Sequence, residues 1–137
     1  MTLPDQTILI IEDDLLTREL YQRELSQRFR VFSCADEQSA LAVLQTETIS
    51  AVVLEPALPR EEGWSLLATI RATPRTKMVP VILCSTVDER KRGILAGATA
   101  YLIKPVLPAT LQALLWQMLT APMLDQNTSG TNHERTA

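Results

Sequence analysis

Histidine and cysteine are scarce in this chain of 137 residues. The single histidine, His133, lies in a polar stretch near the C-terminus. This excludes most histidine-based catalysis and most zinc sites. The two cysteines, Cys34 and Cys84, do not have the spacing of metal ligands. Since the chain shows no export signal, we expect both cysteines to be reduced thiols in a cytoplasmic protein.

Long apolar runs and an excess of positive charge are also missing. No apolar run approaches the roughly 20 residues that cross a bilayer, so we expect no membrane association. The first residues, MTLPDQT, contain neither the cationic segment nor the apolar core of a signal peptide. The formal net charge is −3, whereas nucleic-acid phosphates require a basic face, so we expect no direct binding to nucleic acid. No glycine-rich turn follows the first apolar run, which excludes a dinucleotide-binding enzyme.

What the chain does contain is a regular alternation of strand and helix patterns over residues 6–120. Hydrophobic residues make up 46% of the chain, enough for one sizeable core in a single domain. The predicted strands are residues 7–11, 30–33, 51–54, 79–84 and 100–103. Strict alternation predicts a doubly wound α/β fold, with a parallel sheet between two layers of helices. Residues 121–137 lack periodicity and are predicted to be a disordered tail or a truncated linker.

A helical pattern follows each predicted strand. The helices are expected after Asp14 and over residues 36–46, 63–72, 88–96 and 109–119. In the first helix, the pattern rests on two i,i+4 pairs, Leu16 with Leu20 and Tyr21 with Leu25. Apolar spacing predicts a buried face of Trp64, Leu67 and Ile70 in the third helix, and an apolar stripe of Leu111, Leu114, Leu115 and Met118 in the fifth. Trp116 is interpreted as a further packing residue at the edge of the fifth helix.

Four of the predicted strands end in polar side chains that a hydrophobic core does not need. They are Glu12 and Asp13 after the first strand, Glu55 after the third, Ser85 after the fourth and Lys104 after the fifth. Because the carboxyl ends of parallel strands converge at one edge of a sheet, we expect a single site there. Three carboxylates, a hydroxyl and an ammonium are suited to Mg²⁺ and a phosphoryl group. Each residue also has a plainer interpretation, as a helix start, a strand-end hydroxyl or a surface charge.

In this order and spacing, the motifs resemble those of a response regulator receiver domain. The matching residues are the acidic pair Glu12-Asp13, Glu55 with Pro59 and Gly63 after it, Ser85 after PVILC, and YLIKP at 101–105. The resemblance covers about residues 6–120 and implies a flavodoxin-like sandwich with strand order 2-1-3-4-5. It also implies a cis bond between Lys104 and Pro105.

The same resemblance implies roles for the strand-end residues. The acidic pair Glu12-Asp13 would bind Mg²⁺, with Glu55 as a third oxygen ligand, and the acid on the third strand would accept phosphate from a histidine kinase. Ser85 and Lys104 would contact the phosphoryl group. Ser85 and Tyr101 would switch inward on activation, although Tyr101 is equally well interpreted as a packing residue.

Glu55 departs from the pattern, since the family carries Asp at the phosphoacceptor position. The extra methylene moves the carboxylate outward by on the order of one ångström. In-line phosphoryl transfer depends on positioning, so we expect Glu55 to react poorly. Two interpretations remain open. Glu55 imitates the phosphorylated state by pairing with Lys104 or by accepting a bond from Ser85, or the site has decayed and Glu55 only satisfies Lys104.

The sequence therefore predicts a signalling module rather than an enzyme. We expect a phosphorylation-independent receiver that contacts a sensor kinase, an effector or a second receiver. The expected interface, also for a homodimer, is the face of the fourth helix, fifth strand and fifth helix, where Arg90-Lys91-Arg92 lies. That basic run is otherwise interpreted as a solvated surface. The alternative is a phosphoacceptor that uses Mg²⁺ at Glu12, Asp13 and Glu55 to take and hydrolyse a phosphoryl group.

Overall fold

The computed structural model describes residues 3–121, in which five strands alternate with five α-helices. The strands are β1 (Leu3–Ile11), β2 (Phe29–Cys34), β3 (Ala51–Leu54), β4 (Val81–Ser85) and β5 (Ala100–Ile103). The helices are α1 (Leu15–Leu25), α2 (Glu37–Thr46), α3 (Glu62–Ala72), α4 (Arg90–Leu95) and α5 (Pro108–Thr120). A single 3-10 turn over Pro59–Glu61 precedes α3. The predicted order of elements is confirmed.

All five strands are parallel and lie in the order β2-β1-β3-β4-β5. Every residue of β3 and β4 is buried, as expected for strands covered by helices on both faces. Ile10 of β1 pairs with Val53 of β3, and Val53 pairs with Ile82 of β4. This register brings the carboxyl ends of β1, β3 and β4 to one edge of the sheet. The doubly wound fold and its strand order are confirmed.

Two hydrophobic layers form the core, one on each face of the sheet. Alternate residues of β1 belong to opposite layers, Ile8 and Ile10 to one and Leu9 and Ile11 to the other. The layer with Ile8 and Ile10 packs beneath α1 and α5. The layer with Leu9 and Ile11 packs beneath α2 and α3, and it also contains Tyr101 of β5. The period-two alternation of side chains along a strand explains this division.

The buried faces of the helices differ in detail from the apolar patterns of the sequence. In α1, Tyr21 and Leu25 are buried, but Leu16 and Leu20 are exposed. The two i,i+4 pairs lie on different sides of the helix, and the pair of Tyr21 and Leu25 faces the sheet. In α3, Leu66 joins Leu67 and Ile70 in the core.

The helix α3 leaves Trp64 only partly buried, against the prediction for this residue. In α5, Leu111 and Leu115 are buried, while Leu114 and Met118 are partly buried. Trp116 packs at the edge of the core as expected, with its ring centroid 6.3 Å from that of Phe29.

Three further expectations concern the ends of elements and of the chain. The fourth strand begins at Val81 rather than at residue 79, because Pro80 has no N–H and the N–H of Val79 donates to Thr76. No helix within residues 3–121 is both long and apolar enough to cross a membrane. The tail or linker predicted for residues 121–137 lies outside the described residues, apart from Ala121.

Candidate functional site

Three strand ends meet in a buried ion triad, made of Glu12 after β1, Glu55 after β3 and Lys104 after β5. The Lys104 Nζ donates to Glu12 Oε1 at 2.7 Å and to Glu55 Oε1 at 2.6 Å. Glu12 is 2% exposed and Glu55 is 7% exposed. The predicted convergence of these side chains at the carboxyl edge of the sheet is observed for all three.

The remaining carboxylate oxygens of the triad are held by the loops that follow the strands. Glu12 Oε2 accepts a bond from the backbone N–H of Asp14 at 3.1 Å. Glu55 Oε2 accepts one from the backbone N–H of Ala57 at 2.9 Å. All four oxygens of the two glutamates therefore have a donor, and buried polar groups without such partners are costly.

Gly63 fixes the backbone on which Glu55 is mounted. A Cβ atom at position 63 would lie 2.5 Å from the carbonyl oxygen of Glu55 and 2.5 Å from the Cα of Pro56. Only a residue without a side chain lets α3 start this close to the end of β3. The glycine of the sequence motif therefore has a packing role in setting the site.

The triad holds two buried carboxylates and one ammonium. Burial raises the pKa of Glu12, although the hydrogen bond from Lys104 opposes this effect. Burial alone would lower the pKa of Lys104, but its hydrogen bonds to Glu12 and Glu55 outweigh this effect, and the pKa is raised. Lys104 is therefore a cation at neutral pH, and it is the counter-charge that lets two acids lie side by side in the interior.

The other acids of the first loop do not join the triad. Asp13 is exposed. Asp14 caps α1, and its Oδ2 accepts bonds from the N–H of Thr17 at 3.0 Å and from the Thr17 hydroxyl at 2.7 Å. These bonds lower the pKa of Asp14. The structure therefore brings Glu12 of the predicted acidic pair to the site and leaves Asp13 at the surface.

Ser85 is 1% exposed and lies at the end of β4. Its Oγ accepts a bond from the backbone N–H of Val87 at 3.2 Å. Glu55 accepts no hydrogen bond from Ser85 in the structure. Of the two contacts considered for Glu55 from the sequence, the one with Lys104 is the one observed.

Tyr101 points inward and is 7% exposed. Its hydroxyl donates to the carbonyl of Val87 at 2.5 Å and accepts from the backbone N–H of Glu89 at 3.2 Å. Its ring packs on Gly93 of α4, where a Cβ atom would lie 2.6 Å from the ring. The side chain is thus tied to the segment between β4 and α4, next to Ser85.

An open cleft of about 360 Å³ gives access to the triad from the α1 side. Its walls come from α1 and from the loop between β5 and α5, and they include Thr17, Leu20, Thr86, Lys104, Pro105 and Val106. The peptide bond between Lys104 and Pro105 in this wall is cis, as the family resemblance implied. Lys104 is therefore the one triad residue in the lining of this cleft.

Arg92 and Trp64 form a contact that the sequence did not reveal. The guanidinium carbon of Arg92 lies 3.9 Å from the centroid of the Trp64 ring, within the range of a cation–π interaction. The sequence predicts Trp64 on the buried face of the third helix, and Arg92 either on the expected partner interface or on a solvated surface. The two residues are far apart in the chain, and no local pattern signals that they meet.

Comparison with known proteins agrees with this geometry. The family model for the response regulator receiver domain matches residues 8–115. The chain belongs to the response regulator receiver family. The crystal structure of a putative response regulator from Chloroflexus aurantiacus is 27% identical to this chain with a TM-score of 0.77, and the match covers 85% of this chain and 98% of that one. The chemotaxis response regulator CheY4 of Vibrio cholerae, at 26% identity and a TM-score of 0.76, matches over 83% of this chain and 98% of its own.

Among curated proteins, the transcriptional regulatory protein HprR of Escherichia coli is 31% identical over 99 residues. The match covers 72% of this chain and 44% of HprR. The chain spans about half the length of the first curated relatives that it matches. Receiver domains as a family interact with kinases and effector proteins and generally bind Mg²⁺.

The residues of this receiver do not, as placed, fit a divalent ion. Mg²⁺ needs free oxygen ligands in near-octahedral geometry. The four oxygens of Glu12 and Glu55 already accept hydrogen bonds, and the ammonium of Lys104 lies between the two carboxylates. Within residues 3–121, no group of three or more His, Cys, Asp or Glu side chains is arranged to hold a metal. Metal binding by Glu12, Asp13 and Glu55 stays a prediction.

Proposed function

We propose that this receiver signals through protein–protein contacts without being phosphorylated at Glu55. The observation that carries the proposal is the 2.6 Å ion pair between Glu55 Oε1 and Lys104 Nζ. By the family resemblance, Glu55 stands at the phosphoacceptor position, and Lys104 is the residue that would contact the phosphoryl group. In this chain the carboxylate itself makes that contact.

The state of Glu55 argues against its acting as a nucleophile. One oxygen is paired with Lys104 and the other accepts the N–H of Ala57. Phosphoryl transfer relies on a positioned nucleophile and on cations that neutralise the charge of the transferred group. Here the ammonium is shared by two carboxylates, so an incoming phosphoryl group would have to displace Glu12 or Glu55 from it. The proposed role is therefore not enzymatic.

The inward position of Tyr101 supports the interpretation of Glu55 as a built-in substitute for the phosphorylated state. By the family resemblance, Tyr101 turns inward on activation, and here it is inward beside an unmodified site. The predicted interface of α4, β5 and α5 would then be held in one conformation. Ile94 and Leu95 of α4 are 51% and 79% exposed on the surface, where a partner could cover them.

The proposed partner is a protein in the cytoplasm, either an effector, a sensor kinase or a second receiver. The curated relatives include transcriptional regulators about twice as long as this chain. A receiver that is held in one conformation would bind its partner constitutively, without a phosphorylation step. This differs from the alternative function, a phosphoacceptor whose partner binding follows a cycle of phosphorylation and hydrolysis.

Beryllofluoride, which mimics a phosphoryl group, tests the proposal. Amide NMR spectra are recorded with beryllofluoride and Mg²⁺ for the wild type, for Glu55→Asp and for the surface variant Glu47→Asp. We expect no saturable change in the wild type or in Glu47→Asp, and a saturable change around Ser85 and Tyr101 in Glu55→Asp. A saturable response of the wild type would show that Glu55 still forms a working acceptor site.

A further inference from the structure

The helix α4 is connected to two other parts of the domain by one arginine. The guanidinium of Arg92 stacks on the Trp64 ring of α3 at 3.9 Å. The Nη1 atom of Arg92 lies 3.2 Å from Glu89 Oε2 and 3.5 Å from Glu61 Oε1. We call Trp64, Glu61, Glu89 and Arg92 the Arg92 cluster. It joins α4 to α3 and to the loop that follows Glu55.

Glu89 connects the Arg92 cluster to Tyr101. Its carboxylate pairs with Arg92, and its backbone N–H donates to the Tyr101 hydroxyl. Glu89 is the N-cap residue of α4, which has only six residues, and the Glu89 side chain makes no capping bond to the first turn. A helix this short has little stability of its own, so contacts outside it decide where its first turn lies. The ion pair with Arg92 is such a contact.

Gly93 makes the position of α4 and the position of Tyr101 depend on each other. The Tyr101 ring occupies the space that a Cβ atom of residue 93 would need. If α4 shifts, the ring loses this surface, and the hydroxyl loses the N–H of Glu89, the residue from which the helix starts. Arg92, next to Gly93 in the same helix, is exposed and makes no direct hydrogen bond to Tyr101.

The Arg92 cluster also reaches the loop after Glu55. Arg60 and Glu61 in this loop have φ values of 61° and 60°, a left-handed conformation that is unfavourable for a residue with a side chain. The Glu61 carboxylate faces Arg92. An attractive contact made only in this loop conformation offsets part of its cost. The same arginine therefore contacts the loop of the phosphoacceptor position and the residue that holds Tyr101.

We propose that Arg92 is the positioning residue that keeps Tyr101 inward, acting through Glu89, and that it couples the α4 surface to the loop after Glu55. The contacts of Arg92 are with Glu61, Glu89 and Trp64 and not with Glu55 itself, so this role goes beyond the proposed function. The neighbouring Arg90 provides a matched comparison. Its guanidinium pairs with the exposed carboxylate of Asp88 at 3.4 Å, whereas the ion pairs with Glu61 and Glu89 and the stacking on Trp64 are made by Arg92.

Fluorine NMR of protein labelled with 3-fluorotyrosine tests the proposal on the folded chain. The chain has two tyrosines, Tyr21 and Tyr101, so the variant Tyr101→Phe assigns both signals. We expect Arg92→Ala to move the chemical shift of the Tyr101 signal toward that of free fluorotyrosine. We also expect a larger difference between its chemical shifts in H₂O and D₂O, because the ring becomes more exposed to solvent. The Tyr21 signal, on the opposite face of the sheet, is expected to stay in place.

Three further variants separate positioning from a general loss of stability. Arg92→Lys keeps a cation for Glu89 and Trp64, and we expect the chemical shift of its Tyr101 signal to lie close to that of the wild type. Glu89→Gln is expected to move it as Arg92→Ala does, and Arg90→Ala to leave it unchanged. An unmoved Tyr101 signal in Arg92→Ala, an equal shift in Arg90→Ala, or displacement of both tyrosine signals without rescue by Arg92→Lys would each overturn the proposal.

Discussion

Lys104 and Glu55, which are 49 residues apart in the chain, are joined by a 2.6 Å hydrogen bond inside the carboxyl edge of the sheet. Glu12 binds the same ammonium from the other side. The relationship makes Lys104 the structural centre of the site, because it supplies the positive charge that two buried carboxylates share. Several measurable consequences depend on this arrangement.

Removal of the ammonium is expected to destabilise the domain. In Lys104→Met, the two carboxylates would remain buried without a counter-charge, and breaking a buried pair in this way costs about 3–5 kcal/mol. The free energy of unfolding in urea measures the loss. Lys91→Met removes a lysine from an exposed position and is expected to change the stability by less than about 0.5 kcal/mol. Equal effects of the two substitutions would show that the triad contributes no stability.

The pH dependence of stability is expected to carry opposite signs for Glu12 and Asp14. The pKa of Glu12 is raised in the folded state, so its contribution is most favourable below the ordinary glutamate pKa of 4.5 and is lost as the pH rises through the folded pKa. The stability of Glu12→Gln relative to the wild type should therefore improve as the pH rises from 4.5 toward neutrality.

Asp14 has a lowered pKa, so its contribution is present above the ordinary aspartate pKa of 3.8 and is lost as the pH falls through the folded pKa. The penalty of Asp14→Asn should therefore shrink as the solution becomes acidic below that value. Urea unfolding at a series of pH values measures both curves. If the difference in unfolding free energy from the wild type changed with pH in the same direction for both variants, the opposite pKa shifts of buried Glu12 and capping Asp14 would be contradicted.

Both thiols are expected to be unreactive in the folded protein. Cys34 and Cys84 are buried, and burial raises the pKa of Cys84 to about 12. Because the thiolate is the reactive form, a disulfide reagent at pH 8 should modify neither residue until denaturant is added. Met78→Cys, at a position that is 83% exposed, provides a reactive control. Rapid labelling of the wild type would indicate that the layer around β4 opens readily.

Divalent ions are expected to compete with Lys104 for the two glutamates. The wild type should bind Mn²⁺ weakly, and Lys104→Met should bind it more tightly, since the substitution frees one oxygen on each carboxylate. Paramagnetic broadening of the amide signals around Glu12 and Glu55 measures binding without any activity, and Lys91→Met is the matched control. Tight binding by the wild type, unchanged in Lys104→Met, would show that Asp13 and the backbone supply a metal site that tolerates the ammonium.

The sequence was sufficient to predict the fold and the meeting point of the strand ends. Buried runs such as β3 and β4 are apolar on both faces, which few structures other than a covered parallel sheet explain. The double contact of Lys104 was not predictable, because it depends on side-chain conformations and on distances of a few ångströms. The resemblance to a known family supplied the strand order, which periodicity alone does not contain.

Helix faces were less predictable than strand positions. Leu16 and Leu20 have the same i,i+4 spacing as Tyr21 and Leu25, and only the packing of α1 on the sheet decides which pair is buried. For Trp64, the apolar spacing of α3 does not show that the ring is only partly buried, with the Arg92 guanidinium of another helix stacked over it. Contacts between distant elements leave no local signal in the sequence.

Phosphate incorporation from labelled acetyl phosphate with Mg²⁺ is the most direct measurement of the state of Glu55. It is made on the wild type, on Glu55→Asp and on Glu55→Gln under identical conditions. The ion pair between Glu55 and Lys104 predicts no incorporation into the wild type or into Glu55→Gln, and measurable incorporation into Glu55→Asp. Incorporation into the wild type that is lost in Glu55→Gln would contradict the proposal that this receiver acts without phosphorylation at Glu55.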